Sequence, residues 1–278
     1  MKTEKQADLP ERDTAESHFS TYARPLADAA IENADALAAN SDADVLHKLR
    51  VSLRRLRSLL WAYRPLLGEE IDDQQRDRFK SLAGAAGKTR DWDILSELLV
   101  ESLGARQAPT DRLRAARAAA LDDSRETLSH AGIHAVLRDA LADASGALRH
   151  QAREQTPLKK FARKRVAAAE KSLNKRMHLA AHAKRSDYAS YHDVRKAGKK
   201  VRYLLEFFEP LLTKKQLKTL KGLKKLQKRF GTLNDVVASE ELLRGNRGIF
   251  SNDRDVEVAF TALEKQRKSR VRAASKLL

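Results

Sequence analysis

One segment of this chain occurs twice, 145 positions apart. Val45-Leu46-His47-Lys48-Leu49-Arg50-Val51-Ser52-Leu53-Arg54-Arg55-Leu56-Arg57 returns as Ser190-Tyr191-His192-Asp193-Val194-Arg195-Lys196-Ala197-Gly198-Lys199-Lys200-Val201-Arg202. His47 falls opposite His192, Arg50 opposite Arg195, Arg54 opposite Lys199, Arg55 opposite Lys200 and Arg57 opposite Arg202. Further on, Leu60, Pro65 and Leu66-Leu67 face Leu205, Pro210 and Leu211-Leu212. With one residue of slip, Lys80, Leu82, Gly87, Arg90 and Asp91 face Lys224, Leu226, Gly231, Asn234 and Asp235. An internal repeat constrains architecture before any single motif does, because each copy must build the same unit and pack it.

Apolar residues recur three and four apart almost throughout, the mark of amphipathic helices, and no alternating β run interrupts them. Glycine and proline are few, 11 and 6, so the elements are long. The pattern predicts an all-α fold. A first helix runs from about Thr14 to Ala39, bent or started at Pro25. The first His-containing helix covers Asp42 to Leu67, capped by Asp42 or Asp44 and stopped by Gly68. Helices over Glu70–Ala86, from Asp91 through Trp92 to Leu103, Pro109–Ser129 and Ile133–Arg149 complete the first half. In the second, a basic helix over Pro157–Ala181 precedes the second His helix, capped at Ser186 or Asp187 and ending near Leu212. Thr213–Phe230 and Leu233–Leu243 follow, with Asp91 and Asp235 reading as caps after Gly87 and Gly231. Gly245 and Gly248 mark a loop before a last helix from Asp253. The expected organisation is a short disordered tail over 1–13 and one domain over 14–278, its halves 14–150 and 157–278, each of four helices with one or two extra.

Charge is distributed unevenly. Residues 1–139 carry 21 Lys/Arg against 24 Asp/Glu, whereas residues 140–278 carry 34 against 14, within a total of +17. An excess of this size repels itself and implies an anionic partner. Nucleic acid, an acidic membrane surface and a phosphate polymer all qualify on composition.

Turning one residue every 100° around a helix axis places His192, Arg195, Lys199 and Arg202 within an arc of roughly 80°. Val194, Ala197, Val201, Leu204, Leu205 and Phe208 take the opposite side as a core stripe. The first copy repeats this division, with His47, Arg50, Arg54 and Arg57 on one side and Leu49, Leu53, Leu56, Leu59, Leu60 and Tyr63 on the other. Neither cationic strip has an internal counter-charge at helical spacing, although like charges three or four apart cost roughly 0.2–0.5 kcal/mol per pair. A solvated face would interleave Glu with Lys. The same omission in both copies points to an anion bound by His47, Arg50, Arg54, Arg55 and Arg57 together with His192, Arg195, Lys199, Lys200 and Arg202. Lys164 and Lys171 on the basic helix, and Lys221, Lys225 and Lys228 after Pro210, extend the field, though a lysine-rich solubilising surface would look the same.

Crowded cations would repel a metal ion from either histidine, and no His-Glu-x-x-His pattern occurs, so no metal site and no cofactor are expected. The simplest role for each ring is a hydrogen bond to phosphate oxygen, with cationic neighbours depressing its pKa until a polyanion arrives. Trp92, Phe207, Phe208 and Phe230 lie at core spacing. Walker, dinucleotide and nucleophile-elbow motifs do not occur. The chain has no Cys, which excludes disulfides and thiolate sites and suits a reducing cytoplasm. No apolar run reaches the roughly 18 residues that span a membrane, and Met1 to Asp13 is too polar for a secretory signal.

These residues closely resemble the CHAD domain, the conserved-histidine α-helical domain. Its first-half pattern stands here as His47-Lys48-Leu49-Arg50-Val51 and Arg54-Arg55-Leu56-Arg57. The second-half pattern stands as His192 to Lys196, Lys199-Lys200-Val201-Arg202-Tyr203 and Glu206-Phe207, followed by Leu226-Gln227, Gly231 and Asn234-Asp235. The match spans nearly the whole chain. Phe230 stands where a Leu would be usual, a departure that touches packing only. The resemblance implies two four-helix halves about a pseudo-two-fold axis, with the basic strips facing each other across a central groove or pore. It further implies binding of inorganic polyphosphate there, and association with polyphosphate granules. Some members carry a CYTH triphosphate-processing domain, marked by a Glu-x-Glu-x-Lys strand motif. That motif is missing here, so the chain resembles a stand-alone CHAD protein.

The chemistry of the strips agrees. Polyphosphate has one charge per phosphate and no bases, so its binder needs close-set cations rather than stacking aromatics. The span from His192 to Arg202 covers about 15 Å of helix, Arg can fork onto two oxygens, and counterion release makes binding salt-dependent. A non-specific nucleic-acid binder is the main rival, but single-strand binding adds stacking platforms, and aromatics are only 5% here. An enzyme acting on polyphosphate would need carboxylate-held metal ions beside the strips. The expectation is a binding module, not an enzyme, in the cytoplasm or at polyphosphate granules, binding nucleic acid only weakly at low salt.

Overall fold

A computed structural model describes residues 13–39, 43–150 and 156–278. Among them, eleven α-helices and two 3-10 turns form the fold, with no strand. The helices are α1 (Ala15–Ala39), α2 (Ala43–Leu67), α3 (Glu69–Ala85), α4 (Lys88–Leu103), α5 (Thr110–His130), α6 (Ile133–His150), α7 (Leu158–His182), α8 (Tyr188–Phe207), α9 (Lys214–Leu217), α10 (Thr219–Gly245) and α11 (Asp253–Ser275). The tail expected over residues 1–13 lies outside the described residues except for Asp13, as does the proposed cap Asp42. No described helix is long and apolar enough to cross a membrane.

Helices that carry the repeated residues touch: α2 packs on α8 and α4 on α10, and α1 packs on α7. At their starts, α1 and α7 are tied by reciprocal backbone hydrogen bonds, Ala15 N–H to Thr156 O at 2.9 Å and Leu158 N–H to Asp13 O at 3.0 Å. An aromatic relay continues the join: Phe19 to Tyr63 at 5.0 Å, Tyr63 to Phe161 at 4.9 Å and Phe161 to Phe208 at 6.1 Å between ring centroids. Tyr63 and Phe208 occupy matching places in the repeat. The largest apolar cluster therefore draws on both halves, and a second forms where α4 and α5 meet the latter part of α10 and α11. Burying the two stripes against each other fixes which way the cationic sides of α2 and α8 must look. Every residue of both predicted core stripes is buried, as are Trp92, Phe207, Phe208 and Phe230.

Several boundaries differ from expectation. α1 starts at Ala15 and continues through Pro25. Pro25 is exposed, so the carbonyl four residues earlier, left without its N–H donor, can bond water instead. α8 stops at Phe207, and Glu209–Leu211 tightens into a 3-10 turn at Pro210, because a residue preceding proline is disfavoured in helix. Asp44 lies in the first turn of α2 rather than capping it. Asp187 does cap α8, accepting from Ser190 N–H at 3.3 Å.

The largest correction concerns Gly231. In place of two helices broken there, α10 runs unbroken from Thr219 to Gly245. One interior glycine costs about 1 kcal/mol, and Phe230 and Leu233, both buried, hold the helix on either side. Asp235 is thus in mid-helix and caps nothing, while Asp91 sits in the first turn of α4, whose N-cap is Gly87. At Gly87 the break is real, separating α3 from α4.

A candidate anion-binding site between the matched helices

A cleft of about 640 Å³ opens between α2, α3, α7 and α8. Helix α2 contributes Arg50, Arg54, Arg57, Ser58 and Trp61. From α8 come His192, Asp193, Arg195, Lys196, Lys199, Lys200 and Tyr203. Arg76, Asp77 and Lys80 reach it from α3, and Ser172 and Arg176 from α7. Ten Lys/Arg side chains face two carboxylates. One of these, Asp193, is already engaged by Lys196 at 2.7 Å.

Packing this many cations together perturbs them. Lys199 is brought down to about 6 from its ordinary value, by burial first and then by Arg54, Arg195 and Arg50, with only Asp235 opposing. Burial and neighbouring cations lower Arg195 and Arg57 as well. The Nε atoms of Arg57 and Arg195 are buried without a hydrogen-bond acceptor. Donors left so are costly, at roughly 1–3 kcal/mol each, and an oxyanion in the cleft would relieve them.

Behind the cations stand the two aspartates that sequence had assigned to caps. Burial raises Asp235, while Arg195, Lys199 and Arg90 pull it down. Asp91 carries exposed surface, yet desolvation of its carboxyl raises it against the pull of Arg50. They are partial counter-charges, supplied from α4 and α10. Arg50 is further anchored where α3 gives way to α4, its Nη1 3.5 Å from the Ala83 carbonyl and packed over Gly87.

The two histidines part company. His192 lines the cleft, and its Nδ1 donates to Asn234 Oδ1 at 2.6 Å, which leaves Nε2 for a ligand. Burial, Lys196 and Arg195 depress its pKa, and the Asn234 bond opposes them. His47 is exposed and outside the cleft lining. The residue matched to Asn234 in the first half is Arg90, which donates to Glu97 at 3.1 Å instead.

A family profile described as the CHAD domain matches residues 21–244. The chain belongs to the CHAD-domain family. Among solved structures, it is similar to the CHAD domain from the plant Ricinus communis, with 26% identity, a TM-score of 0.74, and coverage of 97% of this chain and 95% of that one. PptA from Streptomyces chartreusis shares the fold at 17% identity and TM-score 0.68, over 95% of this chain and 96% of that one. No curated protein sequence matches.

In this CHAD domain, then, Arg50, Arg54, Arg57, His192, Arg195, Lys199 and Lys200 come together in one cleft. Arg55 and Arg202 do not. They share Glu206, at 3.7 Å and 3.1 Å, and lie over the rings of Phe207 and Tyr203; Arg55 thereby clamps α2 to α8, while Arg202 pairs within α8. Lys171, Lys221, Lys225 and Lys228 are exposed and outside the cleft lining, and Lys164 lines a second cleft. Reading the strips alone missed Arg76, Arg176, Lys196 and Trp61. Lys196 lay in the repeat itself, and the Lys80–Lys224 match pointed to α3, but nothing in the pattern singled out Arg176.

Proposed function

We propose that this CHAD protein binds inorganic polyphosphate in the cleft between α2 and α8, the two copies being related by a pseudo-two-fold axis, and that it acts by binding rather than catalysis. The observation that carries the reading is the concentration of ten Lys/Arg from four helices around one cleft, with Lys199 depressed to about 6. A cluster like this gains most from a ligand with a charge at every repeat and no base to seat. Arg54, Arg57 and Arg195 offer forked donors and the lysines point charges. Among the carboxylates at the cleft, Asp193 pairs with Lys196, and Asp91 and Asp235 behind it counter arginines, which leaves them poorly placed to hold the metal ions that phosphoryl transfer recruits. Bound this way, the protein would be drawn to polyphosphate granules in the cytoplasm.

Calorimetric titration with polyphosphate, beside single-stranded DNA at about 150 mM salt where loose attraction is screened, tests this. The reading requires polyphosphate to bind and DNA hardly to do so. Equal or tighter DNA binding would assign the cleft to nucleic acid. Turnover of polyphosphate with added divalent metal would overturn the non-catalytic part.

A further inference from the structure

Two cations from different helices hold one indole. Lys200 Nζ stands 4.3 Å from the Trp61 ring centroid and Arg165 Cζ 4.7 Å from it. Arg165 Nη2 also donates to the Trp61 carbonyl at 2.8 Å. Trp61 and Lys200 line the basic cleft. Arg165 lines another, of about 540 Å³, with Lys160 and Lys164 above a floor that includes Pro65, Leu66 and Phe161.

Both clefts are floored by the same two helices. Along α2, Arg50, Arg54, Arg57 and Trp61 face the first and Pro65 and Leu66 the second, a run of about 24 Å of helix axis. Along α7, Arg176 and Ser172 belong to the first, and Ala168, Arg165, Lys164 and Lys160 to the second. The second cleft therefore continues the first, with Trp61 and its two cations as the step between them.

We propose that the second cleft is an exit track for long polyphosphate, in which phosphates beyond the capacity of the basic cleft pass the Trp61 step and lie along Arg165, Lys164 and Lys160. This rests on the polyphosphate reading and adds to it a preference for chain length. Lys160 and Lys164 are exposed, and Pro65, Leu66 and Phe161 beside them keep water from one side of the track, which strengthens each ammonium–phosphate attraction. A short oligophosphate has no reason to leave the cationic cleft. A long one continues along α7 past Trp61, where Arg165, Lys164 and Lys160 line the second cleft.

The test compares tripolyphosphate with a chain of tens of phosphates, on wild type and on the Lys160→Glu/Lys164→Glu variant, with folding checked by circular dichroism. In the variant, the ratio of long-chain to tripolyphosphate affinity should fall about tenfold, and the salt slope for the long chain should drop by about two. An unchanged ratio, whether both affinities fall together or neither does, overturns the exit track and leaves the binding cleft standing. Wild type that binds neither ligand overturns the polyphosphate reading itself, and the track with it.

Discussion

The guanidinium of Arg50 occupies the space that a side chain on Gly87 would need: a Cβ there would lie 1.2 Å from Arg50 Nη1. The clashing group is the free end of a long side chain, so Gly87→Ala should move Arg50 rather than the backbone. Stability is expected to stay within about 1 kcal/mol of wild type, while polyphosphate affinity falls roughly tenfold with the loss of one charged contact. The matching Gly231 has nothing within 4 Å of such a Cβ. Gly231→Ala should therefore stabilise α10 by up to about 1 kcal/mol and leave binding alone. Denaturant melts and titrations of the two variants check this, and identical behaviour would contradict it.

Lys199 links binding to protons. Its folded value is about 6, against about 10.4 in an unfolded chain. Between those values the unfolded chain holds the proton and the folded one does not, so stability of the free protein should rise with pH across that window. Below about pH 6 both states are protonated and the penalty is complete. Lys199→Met should flatten this slope and raise the melting temperature at pH 7 by a few degrees, on the order of 1 kcal/mol or more. Polyphosphate restores the charge, so binding at pH 8 should take up close to one proton, read as a dependence of the binding enthalpy on buffer ionisation. Wild-type binding without proton uptake would refute the link.

Only one histidine should matter for affinity. NMR titration is expected to find His192 below the ordinary histidine value in the free protein, raised on adding polyphosphate, and lower still in Asn234→Leu, which removes the bond that supports the charged ring. His192→Ala should weaken binding several-fold, about 1 kcal/mol, and His47→Ala by less than about twofold, well under 1 kcal/mol. Equal losses would show that the repeat makes the two rings equivalent.

Glu206 separates clamp from cleft. It holds both Arg55 and Arg202 while about a third exposed, so Glu206→Gln should cost no more than about 1 kcal/mol of stability and no affinity. Arg55→Ala should likewise act on the melting curve more than on the titration. Loss of binding in these variants without destabilisation would place the pair in the ligand site.

Much of this was legible in the residues. The core stripes of α2 and α8 followed from helical period alone, since Leu53 and Val201 have one choice of side once their neighbours are charged. Arg50, Arg54, Arg195 and Lys199 were legible because they recur. What could not be read was tertiary. Arg176 enters the cleft from a helix whose repeat partner does not mark it. Arg55 leaves because Glu206 is within reach across the α2–α8 contact. His47 and His192 look alike in the repeat, but their environments differ by Arg90 against Asn234. Gly231 carried the same stop signal as Gly87, and burial of Phe230 and Leu233 overrode it.

The central claim is that the cleft, not the general positive charge, binds the polymer. Two variants of equal formal charge change decide it: Arg50, Arg54, Arg195 and Lys199 to Glu, and the exposed Lys218, Lys221, Lys225 and Lys228 to Glu. Each is titrated with polyphosphate at about 150 mM salt. The first should lose affinity by roughly a hundredfold or more and the second by less than about threefold. Comparable losses in both would mean that polyphosphate meets a generic cationic surface, and that the duplicated strips have no special part in holding it.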